Sequence, residues 1–175
     1  MSAVNYYEIS YDELDSKVEH LYHKIEADNF VPDSMLAVAR GGWMTCRILS
    51  DIFQGNDISV DVTSVTTKFY TSIGTTSKRP VLAQSLATTL FDQKILIVDD
   101  VSDTGNTLKF IKGYVKWLGA SQVQVACVFM KPKTKVIPDY YVDEVSNNTW
   151  IVFPYEVRET KRLREQMKQK ENKIN

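Results

Sequence analysis

The chain reads as an α/β protein: a mostly parallel sheet with helices on both faces, plus a small hood subdomain. Two observations predict this. Stretches such as "MLAVA" (35–39), "ILIV" (95–98) and "VQVACVFM" (123–130) are apolar at nearly every position instead of alternating, as strands covered on both faces are. Between them lie segments whose apolar residues recur at helical spacing, ended near Gly55 and Gly119. With 175 residues, 43% of them hydrophobic, the chain can bury roughly two thirds of its unfolded surface around one core. The expected organisation is a single domain over 1–175, with a core at about 10–130, a hood at about 131–156 and a charged tail at 157–175.

Each element has a local reason. Ser10 and Glu13 have capping-box spacing, and Leu14, Val18, Leu21, Tyr22 and Ile25 then form one apolar stripe, so a docking helix starts here. His20 and His23 project from the opposite face as solvated side chains. Pro32 closes the helix, strand 35–39 follows, and Arg40-Gly41-Gly42 leads into a helix carrying Trp43, Ile48, Leu49, Ile52 and Phe53. Residues 58–66, rich in Val, Ser and Thr, predict a strand. From Lys68 to about Thr89 the composition turns to Thr, Ser, Gly and Lys, too polar to pack and too long for a turn, which predicts a lid. After strand 95–98, Thr107, Leu108, Ile111, Val115 and Leu118 mark a helix, and strand 123–130 follows it. Pro132, Pro138 and Pro154 then break the hood into short aromatic pieces, and residues 156–175, with seven basic and four acidic side chains, predict a solvated, fraying helix.

Composition excludes several classes. Twenty-one basic and 22 acidic residues give a net charge of −1, so no global field grips nucleic acid or an acidic membrane. Two distant cysteines, Cys46 and Cys127, make neither a disulfide framework nor a metal knuckle and are expected to be buried thiols in a reducing compartment. No leader pattern or spanning run is visible, so a soluble cytoplasmic protein is expected.

The chemistry concentrates in "ILIVDDVSDTGNTL", residues 95–108. In a parallel α/β sheet, ligands bind beyond the carboxyl ends of the strands, where this run sits. The turn Asp103-Thr104-Gly105-Asn106-Thr107 opens a helix, which aims unpaired amides and the positive end of the helix dipole into the bend. This is the chemistry of a phosphate cradle. Asp99 and Asp100 beside it suit vicinal hydroxyls or the water shell of Mg²⁺. Three carboxylates within five positions are costly without cations or donors to offset them, although Asp103 also has the place of a helix cap. The pair lies too late in the chain for a receiver domain, the spacing does not fit an Asp-x-Asp-x-Thr phosphatase motif, and no Gly-x4-Gly-Lys-Ser/Thr run exists.

The same run resembles the phosphoribosyl pyrophosphate (PRPP) motif of type I phosphoribosyltransferases: hydrophobics, two acids, two residues, then Asp-Thr-Gly-x-Thr. "AVARGGW" (37–43) resembles that family's pyrophosphate loop, and the likeness extends over about 35–156. The resemblance implies that residues 103–107 hold the 5′-phosphate and that Asp99 and Asp100 face ribose hydroxyls and Mg²⁺-bound water. It gives the pyrophosphate to Arg40, Gly41 and Gly42, with a cis peptide between Ala39 and Arg40, and it gives Asp103 the proton of the purine's imidazole ring. "FMKPKTKVIPDYYVDEVSNNTWIVFPYE" (129–156) is similar to the hood of bacterial xanthine-guanine phosphoribosyltransferases. By position, Lys131 would donate to the 6-oxo oxygen, Trp150 would stack on the ring, Ile151 would offer its backbone to the opposite edge, and, beside Asp100 as a metal residue, Glu156, a Glu where relatives carry Asp, would contact a second Mg²⁺. The lid departs from the pattern, with Thr67-Lys68-Phe69-Tyr70 where relatives carry a Ser-Tyr type of pair. Lys78 and Arg79 are its candidates for reaching pyrophosphate.

The expected activity is therefore transfer of 5-phosphoribosyl from PRPP to xanthine, guanine or hypoxanthine, with Mg²⁺, giving a nucleoside monophosphate and pyrophosphate. The expected state is a homo-oligomer, dimer or tetramer, with no nucleic-acid or membrane partner. An adenine phosphoribosyltransferase on the same fold, and a PRPP-sensing regulator without turnover, are the alternatives.

Overall fold

A computed structural model describes residues 4–71, 78–86 and 89–174. The chain forms two compact units, one of residues 16–147 and one joining residues 1–15 to 148–175.

The larger unit holds a six-stranded sheet. Its strands are β2 (Ser34–Ala39), β3 (Asp61–Thr71), β4 (Lys78–Gln84), β5 (Lys94–Ser102), β6 (Gln122–Met130) and β7 (Tyr140–Glu144), following β1 (Asn5–Glu8) in the smaller unit. They lie in the order β4-β3-β2-β5-β6-β7. All pairs are parallel except β3 with β4. The absence of alternation in the sequence is explained by burial on both faces. Leu36, Val38, Ile95, Ile97, Val123, Val125 and Cys127 share one core with Leu108, Ile111 and Val115 of α3 (Asn106–Trp117). Residues of the opposite parity, Met35, Ala37, Leu96, Val98, Ala126 and Val128, are buried as well, and α2 (Gly42–Gly55) packs against β2 and β5.

Helix α1 (Tyr11–Ala27) begins in the smaller unit and runs into the larger one. Its expected stripe of Leu14, Val18, Leu21, Tyr22 and Ile25 is buried. The Glu13 amide donates to Ser10 Oγ at 3.0 Å, as a capping box requires, while the Glu13 carboxylate accepts from the Tyr7 hydroxyl. His20 and His23 are exposed, and His23 pairs with Glu26.

Two sequence readings change, and the helix expected in the tail is present. Much of the expected lid is strand: β3 continues to Thr71 and pairs antiparallel with β4, because Thr, Val and Tyr suit a pleated edge ribbon better than a polar loop. Residues 72–77 and 87–88 of the lid lie outside the described residues. The stretch expected to form one hood, 131–156, is divided: β7 extends the main sheet beside β6, whereas β8 (Thr149–Val152) pairs with β1 (Asn5–Glu8). The tail forms α4 (Val157–Ile174), anchored within the smaller unit by Arg164, which stacks over Tyr6 and pairs with Glu8. Both cysteines are buried and unpaired with each other. No helix among the described residues is long and apolar enough to cross a membrane.

The central strands carry the fold. Leu96, fully buried at 0% exposure, should cost about 2–5 kcal/mol when replaced by alanine. Chemical denaturation of Leu96→Ala tests this, and a loss below about 1 kcal/mol would place Leu96 outside the close-packed core.

Candidate active site

The site begins where β5 ends. Parallel pairing of β5 and β6 sets Asp99 opposite Cys127 and Ser102 opposite Met130. The ladder then continues past both strands, with the Lys131 amide donating to the Ser102 carbonyl at 3.0 Å. The register alone therefore makes Asp103 and Lys131 neighbours, 28 positions apart in the chain.

The bend that follows is locked by the loop after β6. Gly105 adopts φ +72°, the left-handed region that disfavours side chains. A Cβ there would also lie 2.6 Å from both Thr134 Oγ1 and the Val136 nitrogen. The Lys135 amide donates to the Thr104 carbonyl at 3.1 Å, and the Ser102 and Thr134 hydroxyls bond at 2.7 Å. Helix α3 starts at Asn106 with no side-chain cap, so its first amides keep the anion-binding character of an open helix start. The capping role that the sequence allowed Asp103 is thus not the one it takes. Its carboxylate turns instead to two lysines: Lys133 Nζ lies 2.7 Å and Lys131 Nζ 3.4 Å from the same Oδ1. These are charge contacts rather than aligned hydrogen bonds, and they shut that oxygen off from solvent.

The acidic pair sits on the last part of β5. Asp99 is buried, only 8% exposed, and accepts the Asp100 amide on Oδ1 at 3.0 Å. Burial first, and the adjacent Asp100 charge second, hold the Asp99 carboxyl well above the usual carboxylate range. Asp100 is half-buried, and its Oδ1 accepts the Val101 amide at 2.7 Å. Burial raises both thiols, Cys46 to about 12 and Cys127 with further help from Asp99 and Asp100, so neither is a nucleophile at neutral pH.

The Arg40-Gly41-Gly42 loop reaches this same place. The Ala39–Arg40 peptide is cis, in the position that the family resemblance implies. A Cβ on Gly41 would overlap the Asp100 carboxylate, and one on Gly42 would overlap the Val98 carbonyl. Two glycines in succession let the start of α2 lie directly on the end of β5. Arg40, at the mouth of the loop, is exposed.

The larger unit therefore gathers Arg40, Gly41, Gly42, Asp99, Asp100, residues 103–107 and Lys131 around one strand end. Trp150, Ile151 and Glu156 belong to the smaller unit. There, Trp150 is half-exposed on β8 in register with Tyr6, Ile151 is buried, and half-buried Glu156 donates its amide to Phe153. The backbones of Lys78 and Arg79 lie on β4. Lys133 is the residue that sequence reading passed over, as one of three lysines in "KPKTK"; only the register that carries 131–135 past Asp103 reveals it.

The acid pair also fits a metal carried in by a substrate. Among the described residues no cluster of three or more His, Cys, Asp or Glu side chains builds a cage. Mg²⁺ binds readily through one or two carboxylates plus substrate oxygens, and the half-buried Asp100 carboxylate, packed on Gly41, is of the type that could contribute one.

The Phosphoribosyl transferase domain family matches residues 10–160. A xanthine-guanine phosphoribosyltransferase of Gluconobacter oxydans is 25% identical over 155 residues, covering 88% of this chain and 86% of that protein. One from Cereibacter sphaeroides is 27% identical over 157 residues, 86% and 87%. Among solved structures, a purine phosphoribosyltransferase from Pyrococcus horikoshii superposes with a TM-score of 0.75 at 36% identity, covering 86% of this chain and 93% of that one.

Burial of Asp99 gives a signed prediction. A carboxyl with a raised folded pKa keeps its proton after the unfolded chain, at about 3.9, has lost its own. The cost to stability therefore grows as pH rises above that value. Asp99→Asn keeps an oxygen for the Asp100 amide and removes the cost. Its Tm at pH 7.5 should exceed wild type by about 2–4 °C for each kcal/mol relieved, and the gap should close toward pH 4. A Tm below wild type at pH 7.5 would contradict the burial argument.

Proposed function

The chain belongs to the Phosphoribosyl transferase domain family, and we infer from that premise that it works as a purine phosphoribosyltransferase of the salvage type. It transfers the 5-phosphoribosyl group from PRPP to a 6-oxopurine, forming a nucleoside monophosphate and pyrophosphate. The observation that carries this is the convergence, on one strand end, of an open helix start, an acid pair and an Arg-Gly-Gly loop. Xanthine-guanine specificity of the two curated relatives supports the choice of base.

The roles follow from what each group offers. The backbone of Thr104, Gly105, Asn106 and Thr107, with both threonine hydroxyls, takes the 5′-phosphate monoester. Asp99 and Asp100 accept from the ribose hydroxyls, which relieves the repulsion between them. Arg40 and the amides of Gly41 and Gly42 hold the pyrophosphate and stabilise it as charge develops on the leaving oxygen. Mg²⁺ held by Asp100 would add neutralisation of that charge, and Glu156 is proposed, on the resemblance alone, as a contact of a second Mg²⁺. The anomeric carbon becomes oxocarbenium-like as pyrophosphate leaves, so positioning and charge stabilisation make up most of the catalysis. Lys78 and Arg79 are proposed as lid contacts on their charge and place in the chain.

At the base, Asp103 receives the proton of the purine's imidazole ring. Lys131, 8% exposed beside it, donates to the 6-oxo oxygen; an amino group there would meet donor with donor and leave a buried charge unpaired. Trp150 as the stacking ring and Ile151 as the backbone edge are supported by the resemblance and by the half-exposed indole. Homo-oligomerisation and a cytoplasmic setting are proposed on the same resemblance.

Three measurements test the assignment. With PRPP and Mg²⁺, xanthine, guanine or hypoxanthine should be converted and adenine should not; turnover of adenine alone would overturn the base assignment. Asp103→Asn should lower kcat more than tenfold, a loss above about 1.4 kcal/mol, while PRPP still binds. Lys131→Ala should raise KM for the oxopurine far more than KM for PRPP, and equal effects would remove Lys131 from the base site.

A further inference from the structure

Lys133 presents a cation that the proposed reaction does not use. Its Nζ is the closer of the two to Asp103 Oδ1, at 2.7 Å against 3.4 Å for Lys131. The two ammonium groups differ in setting: the Lys133 side chain is 40% exposed and that of Lys131 9%. Nor is Lys133 a loosely attached surface residue. Its amide donates to Asn147 Oδ1 at 3.1 Å, and the amides of Lys131, Thr134 and Lys135 are bonded to Ser102, Lys131 and Thr104 carbonyls. The loop is pinned on both sides of the lysine that reaches Asp103.

Two cations on one carboxylate oxygen exceed what neutralising it requires. One of them is surplus, and the buried one is the more costly to leave with no anionic or acceptor partner. A purine oxo oxygen can serve as the acceptor for Lys131 only if Asp103 does not hold that ammonium back. We propose that Lys133 is the standing counterion of Asp103, which releases the buried Lys131 ammonium to the 6-oxo oxygen of the incoming purine. Lys133 is then a positioning residue. It keeps the Asp103 carboxylate compensated until the purine's proton is transferred, and Lys131 alternates between Asp103 in the empty site and the base in the filled one. The inference rests on the assignment of Asp103 and Lys131 to the base end of the site.

Without Lys133, Lys131 becomes the sole counterion of Asp103 and must be pulled from it for the base to bind. Lys133→Ala should therefore raise KM for the oxopurine about fivefold, the scale of a half-exposed ion pair, with KM for PRPP unchanged. Lys133→Arg should restore it and Lys133→Met should not. In a double-mutant cycle, Lys133→Ala should add nothing to the defect of Asp103→Asn, because its effect passes through that carboxylate. An unchanged oxopurine KM in Lys133→Ala, or a fivefold effect that persists in the Asp103→Asn background, would overturn the proposal. Asp103→Asn alone separates the two layers: if it leaves turnover intact, the Asp103 assignment itself falls, whereas a defective Asp103→Asn beside a normal Lys133→Ala removes only the counterion role.

Discussion

The site depends on how the parallel register of β5 and β6 is carried past the end of both strands. Once Ser102 faces Met130, the next residues on each chain are forced together, and the turn that would grip a phosphate is buttressed by the loop that supplies the base-end lysines. Gly105 occupies the one conformation and the one volume that this meeting allows. A rigid backbone cradle of this kind is suited to phosphate, because its amides are aimed before the ligand arrives. It also means that the proposed phosphate and base ends share a wall: a change in Thr134 or Val136 would be felt at the turn 103–107.

The acid pair shows the opposite principle, a local cost in stability that the proposed binding role would explain. Asp99 is buried beside a second carboxylate and a thiol, an arrangement that a stability-optimised core would not contain. Hydroxyl donors of a pentose and a cation held on a diphosphate would suit this pair, and both would arrive on one substrate. The Arg-Gly-Gly loop reaches the same strand end from β2 because two glycines let α2 begin against β5. Two segments distant in sequence, 40–42 and 99–107, thus meet at one strand end, where the proposed reading needs monoester, pentose and leaving group to be held.

Much of this was legible in the sequence because it is written locally. The run 95–108 contains strand, acid pair, turn and helix start in order, so spacing alone placed them. Residues 40–42 were legible for the same reason. Non-local features were not. β1 has four residues and gains its meaning only by pairing with β8, and β7 looked like part of a hood although its apolar positions serve the main sheet. The polar content of 68–89 masked an antiparallel ribbon, since an edge hairpin needs few buried side chains. Asp103 sits where a helix cap belongs, and only the register with Lys131 and the reach of Lys133 show that its charge is committed elsewhere.

The central claim is that the 103–107 backbone is a preformed receptor for a phosphate monoester. The most direct test is an amide-resolved NMR titration of the protein with ribose 5-phosphate, which carries the monoester and pentose but no leaving group. The account predicts saturable shifts concentrated in the amides of Thr104, Gly105, Asn106 and Thr107, reproduced by PRPP, which carries the same monoester. Saturable binding that leaves those four amides unmoved while perturbing another surface would contradict it.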